Sequence, residues 1–91
     1  MVAAVWVVAF NKKAQKDARK IHQAGLESKV EAMLDQLEHD PFYLPPPYEK
    51  LVAELNGMFS RRITLKHRLV YEVDSESRQV TVYRMFSHYG D

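Results

Sequence analysis

Five side chains in this sequence could do chemistry together: Glu49, Arg62, Arg68, His88 and Tyr89. A carboxylate, an imidazole, two guanidiniums and a phenol suit cleavage of a phosphodiester that has a hydroxyl beside it, as RNA has. Glu49, ionised beside arginines, could take the proton from the 2′-hydroxyl. Arg62 and Arg68 would neutralise the charge that develops at phosphorus. His88 titrates near neutrality and could protonate the leaving 5′-oxygen, and Tyr89 could orient the nucleotide. No metal or other cofactor is needed. The same residues also suit a plainer reading, in which Glu49 pairs with an arginine and His88 is a solvated terminal histidine.

The cations have a setting. Between Gly57 and Tyr71 stand Arg61, Arg62, Lys66, His67 and Arg68, without one carboxylate. They alternate with Phe59, Ile63, Leu69, Val70 and Tyr71, residues that favour a pleated, half-buried strand. Positive charge is therefore offered from a sheet, a surface suited to phosphate. Side chains alternate across a strand, so only one of Arg61 and Arg62 can share a face with Arg68. An odd-length loop or a bulge between the strands puts Arg62 there, and Ile63 opposite Arg68 would put Arg61 there.

The chain that must hold these groups has 91 residues, enough for one domain and one modest core. It is 46% hydrophobic and 27% charged, as globular proteins are, and its net charge of +1 makes the basic run a local feature. With no cysteine, disulfides and cysteine-based zinc sites are excluded. The apolar start, residues 1–10, lacks a positive n-region and is too short to span a bilayer, so it reads as a central or near-central strand rather than a targeting signal.

Asn11 can cap a helix whose narrow apolar stripe is Ala14, Ala18 and Ile21, with Gly25 as its stop. Lys12, Lys13, Lys16, Arg19 and Lys20 cover the other faces, a solvated surface or an accessory RNA contact. Leu26, Val30, Met33, Leu34 and Leu37 form the face of a second helix that ends near Glu38–His39, before Asp40-Pro41. His22 and His39 read as surface residues. Residues 41–48 form a stiff, proline-rich connection that delivers Tyr48, Glu49 and Lys50. Strands follow at about Met58–Thr64, Arg68–Val73 and Val80–Phe86. The expected fold is α+β, in the order β-α-α-β-β-β, with two N-terminal helices on one face of a mostly antiparallel sheet.

The segment from Glu49-Lys-Leu through Leu55-Asn-Gly-Met-Phe-Ser-Arg-Arg-Ile-Thr-Leu-Lys-His-Arg-Leu-Val-Tyr71, with His88-Tyr89 and Trp6, resembles the YoeB/Txe family. These are toxins of bacterial type II toxin–antitoxin modules in the RelE/ParE superfamily. The resemblance departs at Pro45-Pro46-Pro47-Tyr48, where relatives have a glycine-containing approach, and at Gly90-Asp91, which follow the terminal His-Tyr pair. It implies a RelE-like domain over residues 1–91 and a cytoplasmic, ribosome-dependent mRNA endonuclease. Glu49 then matches the general base, Arg68 the transition-state arginine, His88 the general acid, Tyr89 its neighbour and Arg62 a further active-site arginine. Lys50, Arg61, Lys66 and His67 are candidate RNA contacts. Implied partners are the ribosome, mRNA and a YefM-like antitoxin, with operator DNA reached only through the antitoxin complex and no membrane. A homodimer is compatible with the resemblance, although no residue pattern specifies one. The rivals are a ParE-like gyrase poison on the same scaffold and a non-catalytic nucleic-acid- or partner-binding module.

Overall fold

A computed structural model describes residues 5–44, 47–51 and 57–86. Strand β1 (Val7–Phe10) leads into helix α1 (Lys12–Gln23) and helix α2 (Glu27–His39); strands β2 (Tyr48–Leu51), β3 (Met58–Arg62), β4 (Arg68–Asp74) and β5 (Gln79–Arg84) follow. The strands form one sheet in the order β1-β5-β4-β3-β2. All neighbours are antiparallel except β1 and β5, which run parallel.

The helices begin and end where local chemistry dictates. Asn11 is extended and its side chain accepts the Ala14 N–H at 2.9 Å, relieving one of the unpaired donors of the first turn. Gly25 takes φ +73° between the helices, a conformation open to glycine at little steric cost. Helix α2 stops as expected at His39, with Asp40 extended before Pro41. One expectation for α1 fails: Ala18 is exposed, and the buried stripe is Ala14, Asp17 and Ile21. An acid has taken the place of the alanine, and it has a use described below.

Both helices pack on one face of the sheet. Ala14, Ile21, Val30, Met33 and Leu37 share a core with Phe59, Leu69, Tyr71, Val80 and Val82. Alternation along β3 and β4 then sends Met58, Ser60, Arg62, Arg68, Val70 and Glu72 to the opposite face.

Two expectations about the sheet are corrected. The apolar N-terminal run is an edge strand among the described residues, since β1 pairs only with β5. Its apolar residues are needed because it lies against the helices, with Trp6 and Val8 packed on the core, while Val7 remains 64% exposed. Residues 48–51, expected at the end of a loop, form a strand on the other edge. Pro47, just before the strand, is compatible with an edge, where a missing N–H costs no ladder hydrogen bond.

Candidate active site

Glu49, on edge strand β2, lies opposite Ser60 of β3, which lies opposite Val70 of β4. Arg68 begins β4 on the same face. Its Nη1 donates to Glu49 Oε1 at 2.6 Å and to Ser60 Oγ at 3.2 Å. The Arg68 side chain is 22% exposed and that of Glu49 66%, so the carboxylate is open to a substrate while the guanidinium is largely held by protein. Ser60 is buried and helps fix the arginine's direction.

The register settles which neighbouring arginine joins them. The hairpin turn is the five residues 63–67, an odd-length loop, and Arg62 stands opposite Arg68. Turn geometry explains the register. His67 O accepts the N–H groups of Ile63 and Thr64, and Thr64 Oγ1 accepts those of Lys66 and His67. Two like charges directly opposite on a sheet repel each other. Glu49 offsets part of that repulsion, and a phosphate placed between the guanidiniums would offset more.

Arg61, expected as an RNA contact, is instead completely buried on the helix side. Its Nε donates to the Tyr71 hydroxyl at 2.8 Å and its Nη2 to the Pro41 carbonyl at 2.9 Å. The guanidinium carbon lies 3.8 Å from the Tyr43 ring centroid and 5.0 Å from that of Tyr48. Tyr71 also donates to Pro41 O, at 3.1 Å. Burial pushes the Tyr71 phenol up to about 12, against the opposing pull of the Arg61 charge. The result is a clamp on the connection leading to Glu49, reinforced by Phe42 and Tyr48 packed edge-on against Phe59. The structure thus gives the stiff segment an anchor as well as prolines.

The remaining candidates divide. Lys50 pairs with Phe59, a residue of the helix side, so alternation carries it away from Glu49. It is exposed there. Lys66 is exposed in the turn. The His67 ring is stacked on Phe86 at 3.8 Å. His88 and Tyr89 lie outside the described residues.

What can be described is how the chain is held just before them. Asp17, 2% exposed, receives Arg84 Nε at 2.8 Å and the backbone N–H groups of Met85 and Phe86 at 3.0 and 3.3 Å. Burial raises the carboxyl's pKa, but the hydrogen bonds from Arg84, Met85 and Phe86 together with the Arg84 charge outweigh it and hold the group below its ordinary value. Sequence reasoning missed Asp17. The available signal was an acid at i+3 and i−4 from Ala14 and Ile21, on the apolar stripe of an otherwise basic helix.

A five-stranded sheet with two helices on one face and a carboxylate–arginine pair on the other places this chain among the RelE-type toxin folds. The profile of the YoeB-like toxin of bacterial type II toxin-antitoxin system matches residues 10–89, and the chain belongs to that family. Toxin YoeB of Mycobacterium bovis is 34% identical over 61 residues, covering 67% of this chain and 69% of the relative; toxin RelK of Mycobacterium tuberculosis matches equally. The YoeB/ParE toxin from Agrobacterium tumefaciens superposes with TM-score 0.82 at 25% identity, covering 91% of this chain and 99% of that one. The YoeB dimer from Staphylococcus aureus gives 0.79 at 28% identity, over 94% and 100% of the two chains. YoeB from the same organism has also been solved in complex with YefM, with TM-score 0.77 at 28% identity over 92% and 98%.

Proposed function

We propose that this protein is a ribosome-dependent mRNA endonuclease that halts translation and is neutralised by a YefM-like antitoxin. The observation that carries the reading is the Glu49–Arg68 pair, with Arg62 directly opposite Arg68 on the face free of helices. Membership of the toxin family and the YoeB–YefM complex of a relative support the assignment to a toxin–antitoxin pair.

In the proposed reaction Glu49 removes the proton from the 2′-hydroxyl, and the 2′-oxygen attacks the adjacent phosphorus. Arg68 and Arg62 stabilise the negative charge on the phosphoryl oxygens as the bond to the 5′-oxygen breaks. His88 gives its proton to that oxygen, leaving a 2′,3′-cyclic phosphate and a free 5′-hydroxyl. Tyr89 orients the nucleotide, and Lys66 contributes to binding RNA. The proposed reaction uses side chains alone for acid, base and charge stabilisation, with no metal step. The reading places the protein in the cytoplasm, where ribosomes, mRNA and antitoxin are; the operator is reached through the antitoxin complex. A homodimer, as described for the Staphylococcus aureus YoeB structure, fits the same reading.

The test is cleavage of mRNA on translating ribosomes by wild type, Glu49→Gln, Arg68→Ala and His88→Gln. Cutting should fall by at least about 100-fold in the Glu49 and His88 variants, as for loss of a general base or acid, while ribosome binding persists. Undiminished cutting in both would refute the roles. Inhibition of gyrase supercoiling by the wild type, without RNA cleavage, would move the protein to the rival branch.

A further inference from the structure

Beside the proposed catalytic pair the open face of the sheet holds a cavity of about 580 Å³, within the size range of small-molecule sites. Met58 and Val70 form its floor; Tyr83 and Arg84 wall it, and Lys12 and Lys13 stand at its rim. Its position follows from register. Glu49, Ser60 and Val70 are directly opposite one another on three successive strands, and Val70 lies opposite Arg84 across the β4–β5 irregularity. At the usual strand spacing Val70 lies about 10 Å from Glu49, backbone to backbone. The nucleotide next to the reacting phosphate can reach that distance.

The lining has two characters. Met58 and Val70, only 8% and 2% exposed, close the bottom of the cavity with apolar side chains, and the half-buried Tyr83 ring supplies the accessible apolar surface. The Tyr83 hydroxyl lies 3.4 Å from Glu72 Oε1, which ties one edge of that ring and leaves the rest to line the cavity. Arg84 is committed to Asp17 and acts as a fixed wall. Lys12 and Lys13 are exposed, and among the described residues neither joins an ion pair. An apolar slot with an aromatic wall and free ammonium groups at its mouth matches a nucleobase and its attached phosphate. Among the described residues no lining residue is acidic, so the charge favours this occupant over a basic peptide.

The geometry points to a nucleobase subsite: the Met58–Val70–Tyr83 cavity receives the base of the nucleotide flanking the cleaved phosphate, and Lys12 and Lys13 hold the backbone outside it. The subsite rests on the proposed nuclease reading and deepens it, because it would give the enzyme its preference at one position beside the cut. The basic face of α1 thereby gains a use at its first turn.

Two measurements separate the subsite from the nuclease reading. A short 2′-O-methyl RNA, which cannot be cut by 2′-hydroxyl attack, should perturb the NMR signals of Met58, Val70 and Tyr83 in the wild type. On translating ribosomes with randomised codons, Tyr83→Ala should lose about ten-fold of its preference at one position flanking the cut, as expected for a lost base–aromatic contact. Tyr83→Phe, which keeps the ring, should retain it. Lys12→Gln with Lys13→Gln should weaken binding similarly for all sequences and flatten its salt dependence. Perturbation elsewhere on the sheet but not at these three residues would overturn the subsite, as would an unchanged cut-site distribution in Tyr83→Ala. A Tyr83→Ala protein with normal cutting preference but lost antitoxin binding would also overturn it and assign the cavity to a peptide. No cutting by wild type, with the three signals still perturbed, would refute the nuclease reading while supporting base binding in the cavity.

Discussion

Replacing Arg61 by alanine should cost stability, and replacing Arg62 should cost RNA binding, although the two are adjacent in sequence. Arg61 is fully buried and donates from its guanidinium to Tyr71 and to the Pro41 carbonyl, each at under 3 Å. Hydrogen bonds to a charged group contribute about 1.5–3 kcal/mol each. The Tyr43 ring at 3.8 Å adds up to about 2 kcal/mol where water is excluded. Against this stands the cost of burying the charge, several kcal/mol in real proteins. Truncation also leaves a cavity among Tyr43, Tyr48 and Tyr71, which adds to the loss. A net loss of about 3 kcal/mol is expected, enough to lower the melting temperature of a domain this size by more than about 10 °C. Arg62 is exposed, and its alanine variant should stay within about 0.5 kcal/mol of wild type. Urea titrations give the stabilities. Binding of a 2′-O-methyl RNA at several salt concentrations gives the other half: losing one phosphate contact should shallow the log–log slope by about 0.7 in Arg62→Ala. The slope of folded Arg61→Ala should match the wild type. Stability unchanged in Arg61→Ala, or a shallower slope there and not in Arg62→Ala, would refute the register argument.

Asp17→Ala strands Arg84 and two backbone N–H groups at the end of β5, and should cost about 2–4 kcal/mol in urea denaturation at neutral pH. Because the folded Asp17 has a lowered pKa, its stabilisation is present above the unfolded value of 3.8 and is lost as pH falls through the folded one; Asp17→Asn should therefore flatten the acid limb of a stability–pH curve. Tyr71 shifts the other way. Its folded pKa of about 12 exceeds the unfolded value, so the stabilisation it brings is present below pH 10 and is lost as pH rises through about 12. Tyr71→Phe should resist that alkaline loss when unfolding is followed by circular dichroism. Asn11→Ala removes the cap of α1 and should cost about 1 kcal/mol by chemical denaturation, a smaller loss disproving the cap's importance.

What could be read from residues alone were the features set by local periodicity. The helix α2 face, its stop before Asp40-Pro41 and the Asn11 cap depend on spacing and backbone preference, which act within a turn or two. The strands β3, β4 and β5 were legible within two residues at each end, because their apolar and aromatic residues alternate around recognisable turns. Strand β2 was not, since four residues after a proline run carry too little pattern to separate strand from extended loop. Ala18 and Asp17 were misjudged for a similar reason: periodicity locates the stripe of a short helix, but an acid on it becomes intelligible only with Arg84, sixty-seven positions away, beside it.

The sequence by itself therefore determined both helices and every strand but β2, in their order, as well as a concentration of positive charge on one hairpin. Side-chain periodicity and charge are properties of neighbours in the chain. Which arginine serves the site and which is buried is different. Arg61 and Arg62 have the same chemistry, and their fates separate only when the five-residue turn sets the register and the helices cover one face. Tertiary structure also joined Glu49 to Arg68 and Ser60, because a cross-strand contact depends on pairing geometry that no single strand contains.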